Sequence, residues 1–175
     1  GEVIWECGGL SASIVATPIA ADGIVYVGSS YEIRSMMAIK LDGARGDITS
    51  TDHVLWRRRI RTPYVPSPLL YRGQLYFLAH YQNVLSRVEA LTGEEPVGPF
   101  RLGALRNIYA SPVAASGRIY ISDLNGVTQV FSAGKIPRPI AVNRLDDQFA
   151  ASAAIVGKQL FLRGHRSLYC LEAIQ

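Results

Sequence analysis

Apolar and polar residues alternate in short runs along the chain, and no stretch keeps a helical period for three turns, so the pattern predicts an all-β protein. The runs Val25-Tyr26-Val27, Leu75-Tyr76-Phe77, Ile119-Tyr120-Ile121 and Leu160-Phe161-Leu162 each place an aromatic between aliphatics, the signature of a strand buried between two layers. A turn precedes each one, at Asp22-Gly23, Arg72-Gly73, Ser116-Gly117 and, less cleanly, Gly157-Lys158, where a two-residue hairpin needs residues that tolerate positive φ. Before the turn comes a first strand that opens on a small hydroxyl residue, 17–21 in the earliest copy. A third strand is expected at 36–41, 87–91, 128–132 and 167–171. Gly1-Glu2-Val3-Ile4-Trp5-Glu6 and Asp52-His53-Val54-Leu55-Trp56-Arg57 share an apolar pattern and a tryptophan, and they read as corresponding fourth strands.

These elements form a repeat. From the hydroxyl residue to the aromatic is nine positions in every copy: Thr17 to Tyr26, Ser67 to Tyr76, Ser111 to Tyr120 and Ser152 to Phe161. Successive hydroxyl residues lie 50, 44 and 41 residues apart, close to the length of a four-stranded β-propeller blade. One such sheet cannot bury both faces, and radial stacking covers each with a neighbour. Ala16, Ala110 and Ala151 suit the crowded innermost strands. The expected domain is therefore 1–175, with a blade-completing strand in 1–10 and blades at about 14–60, 64–102, 108–145 and 149–175. The extra length of the first unit falls in 41–51 and reads as a surface insertion.

Composition supports a packed domain. Of the 175 residues, 49% are hydrophobic and 18% charged, which argues against disorder. No apolar run approaches the roughly 20 residues that span a bilayer, so no membrane span is expected. A net charge of +4 is mild, and its excess sits in Arg57-Arg58-Arg59 and Arg61, too narrow a patch to track a phosphate backbone. No nucleic-acid partner is expected, and the arginines read as a solvated outer strand. Cys7 and Cys170 lack C-x-x-C spacing, and His53, His80 and His165 are scattered without zinc-ligand spacing. Asp42, Asp47 and Asp52 do not match a calcium loop. No metal is expected.

The Thr17-Pro18, Ser67-Pro68 and Ser111-Pro112 starts with their tyrosines, and the ends Gly1 to Trp5, Leu91-Thr92-Gly93-Glu94 and Trp56, resemble the pyrroloquinoline quinone-binding-like β-propeller repeat family. Its blades pair an S-P-x-x-x-x-G-x-x-Y start with a T-G-x-x-x-W end. Ala141-Val142-Asn143 stands where a third tryptophan belongs. The resemblance implies a propeller and a periplasmic or secreted setting. It does not imply an activity, because similar blades build quinone-dependent dehydrogenases and a periplasmic scaffold for outer-membrane assembly alike. The dehydrogenases use eight blades and adjacent cysteines beside the cofactor, with clustered Glu, Asn and Asp at a calcium. This chain has neither set, so no cofactor is expected.

The chain opens on a fourth strand without its first three and ends on a third strand without its fourth. Three closures follow: residues 2–6 complete the last blade of a four-bladed ring; they complete the blade of a second copy in a head-to-tail dimer of eight blades; or the chain is half of a longer propeller. No nucleophile and base pair stands out. Ser67, Ser111 and Ser152 recur at structural positions and read as backbone hydrogen-bonding groups. The residues just before them should lie on one rim: Tyr64, Asn107, Tyr109, Gln148 and Phe149 are the candidate binding residues, supplying apolar area and hydrogen bonds to a protein or peptide. The expected function is a non-catalytic binding or scaffolding module. The alternative is a fragment of a quinone- or metal-dependent oxidoreductase whose catalytic residues lie outside this chain.

Overall fold

A computed structural model describes residues 1–79 and 83–172. His80 and the last positions of the fourth unit, 173–175, lie outside them. Among the described residues there are strands and turns and no helix. A short β1 (Trp5–Glu6) leads to a first sheet of β2 (Ile19–Ala21), β3 (Ile24–Ser29), β4 (Ser35–Lys40) and β6 (Val54–Arg58), with β5 (Gly46–Asp47) inserted ahead of β6. The second sheet is β7 (Leu69–Tyr71), β8 (Gln74–Leu78), β9 (Val84–Glu89) and β10 (Phe100–Arg101). The third is β11 (Val113–Ala115), β12 (Arg118–Ser122), β13 (Val127–Ser132) and β14 (Pro139–Arg144). The fourth has β15 (Ala154–Val156), β16 (Gln159–Arg163) and β17 (Leu168–Glu172). All four are antiparallel meanders.

The repeat sets the register. Ile19 faces Tyr26, Leu69 faces Tyr76, Val113 faces Tyr120 and Ala154 faces Phe161 across each first hairpin. Both turn residues have positive φ in the first three sheets, at Asp22-Gly23, Arg72-Gly73 and Ser116-Gly117, the backbone of a type I′ turn. In the fourth, Gly157 alone does so.

Apolar faces then stack sheet on sheet. Tyr26, Met36 and Ala38 of the first sheet bury against Leu75, Phe77 and Val88 of the second. The other face of the second, with Tyr76, Leu78 and Leu85, meets Ile119 and Ile121 of the third. Each fully buried side chain of this size contributes about 1.5–3 kcal/mol. From β6 the Trp56 side chain reaches onto the second sheet, where its Nε1–H donates to the Ala90 carbonyl at 2.8 Å and its ring covers Gly93. Between the third and fourth sheets the packing is looser, leaving an apolar cleft of about 310 Å³ among Tyr120, Thr128, Leu160, Leu162 and Leu171.

The hydroxyl residues bridge the sheets near the starts of their first strands. Thr17 N–H donates to Ser67 Oγ, Ser67 N–H to Ser111 Oγ, and Ser111 N–H to Ser152 Oγ, each at 2.9 Å. The backbone-bonding role expected of these serines is thus a relay from each sheet to the next.

Two expectations are corrected. The N-terminal strand does not close the last blade of its own chain: β1 pairs in parallel with β5, Trp5 beside Gly46, and among the described residues the fourth sheet has three strands. The cause is the 41–51 segment, which is more than a surface insertion. It buries Ala44 and Ile48 with Val27, Met37 and Ile39, and Trp5, Cys7 and Leu10 pack against the same cluster, which holds β1 on the first sheet. The sheets accordingly do not close into a ring. The arginine run is not simply solvated either, since Arg58 and Arg61 both pair with the buried Glu95 carboxylate of the second unit.

Gly93, at φ 69°, would place a Cβ 2.6 Å from the Trp56 ring, whereas Gly23, at φ 72°, has open space around it. Gly23→Ala should therefore cost only left-handed strain, about 1–2 kcal/mol. Gly93→Ala should cost about 1–3 kcal/mol more by overpacking. Urea unfolding of the two variants reads the difference.

Candidate functional site

In a four-stranded meander, the loop entering the first strand and the loop joining the second strand to the third lie at the same end of the sheet. Hydrogen bonds tie these loops in pairs here. Thr62 Oγ1–H donates to the Ser29 carbonyl at 2.7 Å, Leu124 N–H to the Asn107 carbonyl at 3.3 Å, and His165 N–H to the Gln148 carbonyl at 3.0 Å. One end of the sheets is thus a continuous surface of paired loops.

The expected rim residues fall on this surface, with different fates. Tyr64 is half-buried and stacks with Tyr31, their ring centroids 6.5 Å apart and 29° from parallel. Asn107 is exposed at φ 52°, a left-handed conformation that asparagine tolerates. Tyr109 keeps 39% of its surface exposed. Gln148 is exposed as well. Phe149 is not a rim residue: it is fully buried and meets the Tyr169 ring edge-on, with centroids 5.9 Å apart. It offers nothing to a partner.

Asp147 explains the turn of the chain there. Its buried carboxylate accepts N–H bonds from Gln148 at 2.8 Å, His165 at 3.0 Å and Ser167 at 3.2 Å, one from Arg166 shared between its two oxygens, and the Tyr169 hydroxyl at 3.1 Å. Burial pushes the carboxyl up, but the donors outweigh it and hold it below the usual carboxylate range. Asp123 anchors the third unit's loops similarly, accepting from Arg106, Asn125 and Val127. Pinning these loops leaves Gln148 over a polar hollow of about 410 Å³ with Leu124, Asn125, Asp146, His165 and Arg166. A second hollow of about 150 Å³ continues past Gln148 to Arg163. Arg166 bonds Asp146 at 3.1 Å, both exposed, a pair of little energetic weight.

The surface therefore has two parts. At the first and second units Tyr31 and Tyr64 stack, and Ile33 and Ile60 lie exposed in the same two loops. At the third and fourth lies the polar hollow. Asn107 and Tyr109 belong to the loop between them and line neither. Sequence reasoning missed Tyr31, His165 and Arg166, all in the loops joining second and third strands. A signal existed for Tyr31, an aromatic in the polar run Ser29-Ser30-Tyr31-Glu32. Among the described residues no three His, Cys, Asp or Glu side chains gather as a metal site would need. What the surface supplies is contact area, hydrogen bonds and exposed charge.

No family model matches this sequence, and none of the curated proteins does. Solved structures share its fold. The computationally designed Ika4 protein is similar over 98% of both chains, at 9% identity and a TM-score of 0.71. The designed Ika8 protein matches 97% of this chain with 49% of its own, at 10% identity and a TM-score of 0.70. The Neurospora crassa Pan2 WD40 domain matches 92% of this chain with 47% of its own, at 12% identity and a TM-score of 0.65. The chain thus spans about half the length of the latter two. At such identities the likeness speaks for the fold alone, and that fold is the β-propeller's.

Phe149→Ala should lower stability by about 3–5 kcal/mol as a core truncation, whereas Tyr109→Ala should stay close to neutral, within about 0.5 kcal/mol. Chemical denaturation separates the two. Asp147, depressed in the folded state, contributes stability that is present above the ordinary carboxylate pKa of about 3.9 and is lost as pH falls through its lower folded value. Thermal midpoints of the parent should therefore fall as pH drops below about 4, and Asp147→Asn should be less stable at neutral pH with a flatter acid profile.

Proposed function

We propose that the chain is a non-catalytic binding or scaffolding module that takes a protein or peptide across its loop end. The carrying observation is the pairing of unlike surfaces there, a stacked Tyr31–Tyr64 platform on one side and the polar hollow under Gln148, His165 and Arg166 on the other. Aromatic rings give large contact area at low entropic cost, and polar groups beside them fix the orientation of what binds. The propeller fold, shared with a WD40 domain, fits a surface of this kind. From the resemblance of its repeats to the pyrroloquinoline quinone-binding-like family, we infer a periplasmic or secreted setting. A head-to-tail pairing of two copies belongs to the same reading and engages the ends of the sheet series, not the loops.

A displayed peptide library selected on the immobilised chain tests the reading. Bound peptides should lose about tenfold or more in affinity to the Tyr31→Ala, Tyr64→Ala double variant, the scale of truncating aromatic anchors. Failure to enrich any peptide, or binders indifferent to that variant and to Arg166→Ala, would contradict it.

A further inference from the structure

The hydroxyl relay is open at both ends. Thr17, Ser67 and Ser111 each donate an N–H to the next sheet, but Ser152 N–H has no acceptor and Thr17 Oγ1 no donor among the described residues. Both residues are exposed, as relay members within the series are less so. One chain thus carries a free donor at its last sheet and the matching acceptor at its first.

The sheet faces are left in the same state. Val156 faces Gln159 as Tyr71 faces Gln74, and Leu168 faces Arg163 as Leu85 faces Leu78, so Val156 and Leu168 stand in the places of Tyr71 and Leu85. In the second sheet those places are covered by the third, and Leu85 is fully buried. In the fourth sheet they are bare, with Val156 64% and Leu168 71% exposed. Exposed apolar residues aligned on one sheet face are the surface a neighbouring sheet would cover.

The first sheet shows the complementary half. Trp56, from the fourth strand of the first sheet, packs with Phe77 and Val88 on the second. Trp5 packs on Val27 and Ile39, which hold the same register positions in the first sheet. β1 therefore occupies the fourth-strand place of a sheet that would precede the first. Beyond β1 the inner part of that face stays open, with Val15 and Ala20 exposed. At the other end, among the described residues β17 pairs only with β16 and no fourth strand lies on its outer edge. An unpaired strand edge is itself a template for another chain.

From these three matched ends we infer that two copies associate head to tail, the fourth sheet of each docking ahead of the first sheet of the other. β1 then lies beside the second copy's unpaired strand edge, the bare Val156 and Leu168 face is covered, and Ser152 N–H reaches the second copy's Thr17 Oγ1. Two such contacts are equivalent and close on themselves, which satisfies the symmetry rule for stable oligomers. The inference rests on the propeller reading but not on any partner at the loop end.

Sedimentation equilibrium of the whole chain over a wide concentration range tests it. The expected result is a species of twice the 19.1 kDa chain mass. Leu168→Asp, placed at a residue bare in the single chain, should return the single-chain mass with an unchanged circular dichroism spectrum. A single-chain mass at every concentration, or a pair that survives both Leu168→Asp and Val156→Asp, would overturn the inference. Peptide binding at the loop end is read separately, so a single chain that still binds sinks only the pairing.

Discussion

The hydroxyl-to-amide relay near the first strands is the constraint on which the arrangement of the sheets depends. A sheet packed on its neighbour by apolar contacts alone could slide or rotate, because those contacts are non-directional. The bonds from Thr17 to Ser67, Ser67 to Ser111 and Ser111 to Ser152 have one geometry each and fix the relative height of successive sheets. A single hydrogen bond of this kind contributes only about 0.5–1.5 kcal/mol net. The relay therefore sets position, while the buried faces around Phe77, Leu75, Leu85 and Ile119 hold the sheets together. Fixing the sheets at one height also brings their loop ends level, which lets the paired loops form one surface.

The ends of the series show the same division. At the first sheet, residues 1–10 and the 41–51 insertion cover the outer part of the face, and Trp5 does there what Trp56 does one sheet further on. At the fourth sheet no described residue covers Val156 and Leu168 in this way. The gradient of burial along the repeats, from fully covered Leu85 to bare Leu168, follows from position in the series and not from side-chain type.

Much of this was legible in the sequence, for a physical reason. A repeat repeats its environment, so the nine-residue step from hydroxyl to aromatic and the hairpin turns locate the strands, their register and the inner frame directly. The acceptor role of the serines across sheets was not legible, since it depends on how far apart stacked sheets stand. The placement of β1 was missed because the pattern around Trp5 matches that around Trp56, and the pattern cannot say that Ala44 and Ile48 supply a closer partner within the chain. At the loop end, Tyr64, Asn107, Tyr109 and Gln148 do lie on the surface, but Phe149 does not. Asp147 draws the three consecutive amides of His165, Arg166 and Ser167, together with that of Gln148, around one carboxylate, and the chain leaving it turns Phe149 inward onto Tyr169. A single buried acceptor overrides the repeat at that point.

Backbone amide exchange, followed by NMR on the Leu168→Asp chain, tests the relay most directly. The amides of Thr17, Ser67 and Ser111 should exchange slowly, held by the next sheet's hydroxyl, while that of Ser152 exchanges at the rate of an open loop. Ser67 and Ser111 amides exchanging as fast as Ser152 would contradict a relay that fixes one sheet against the next.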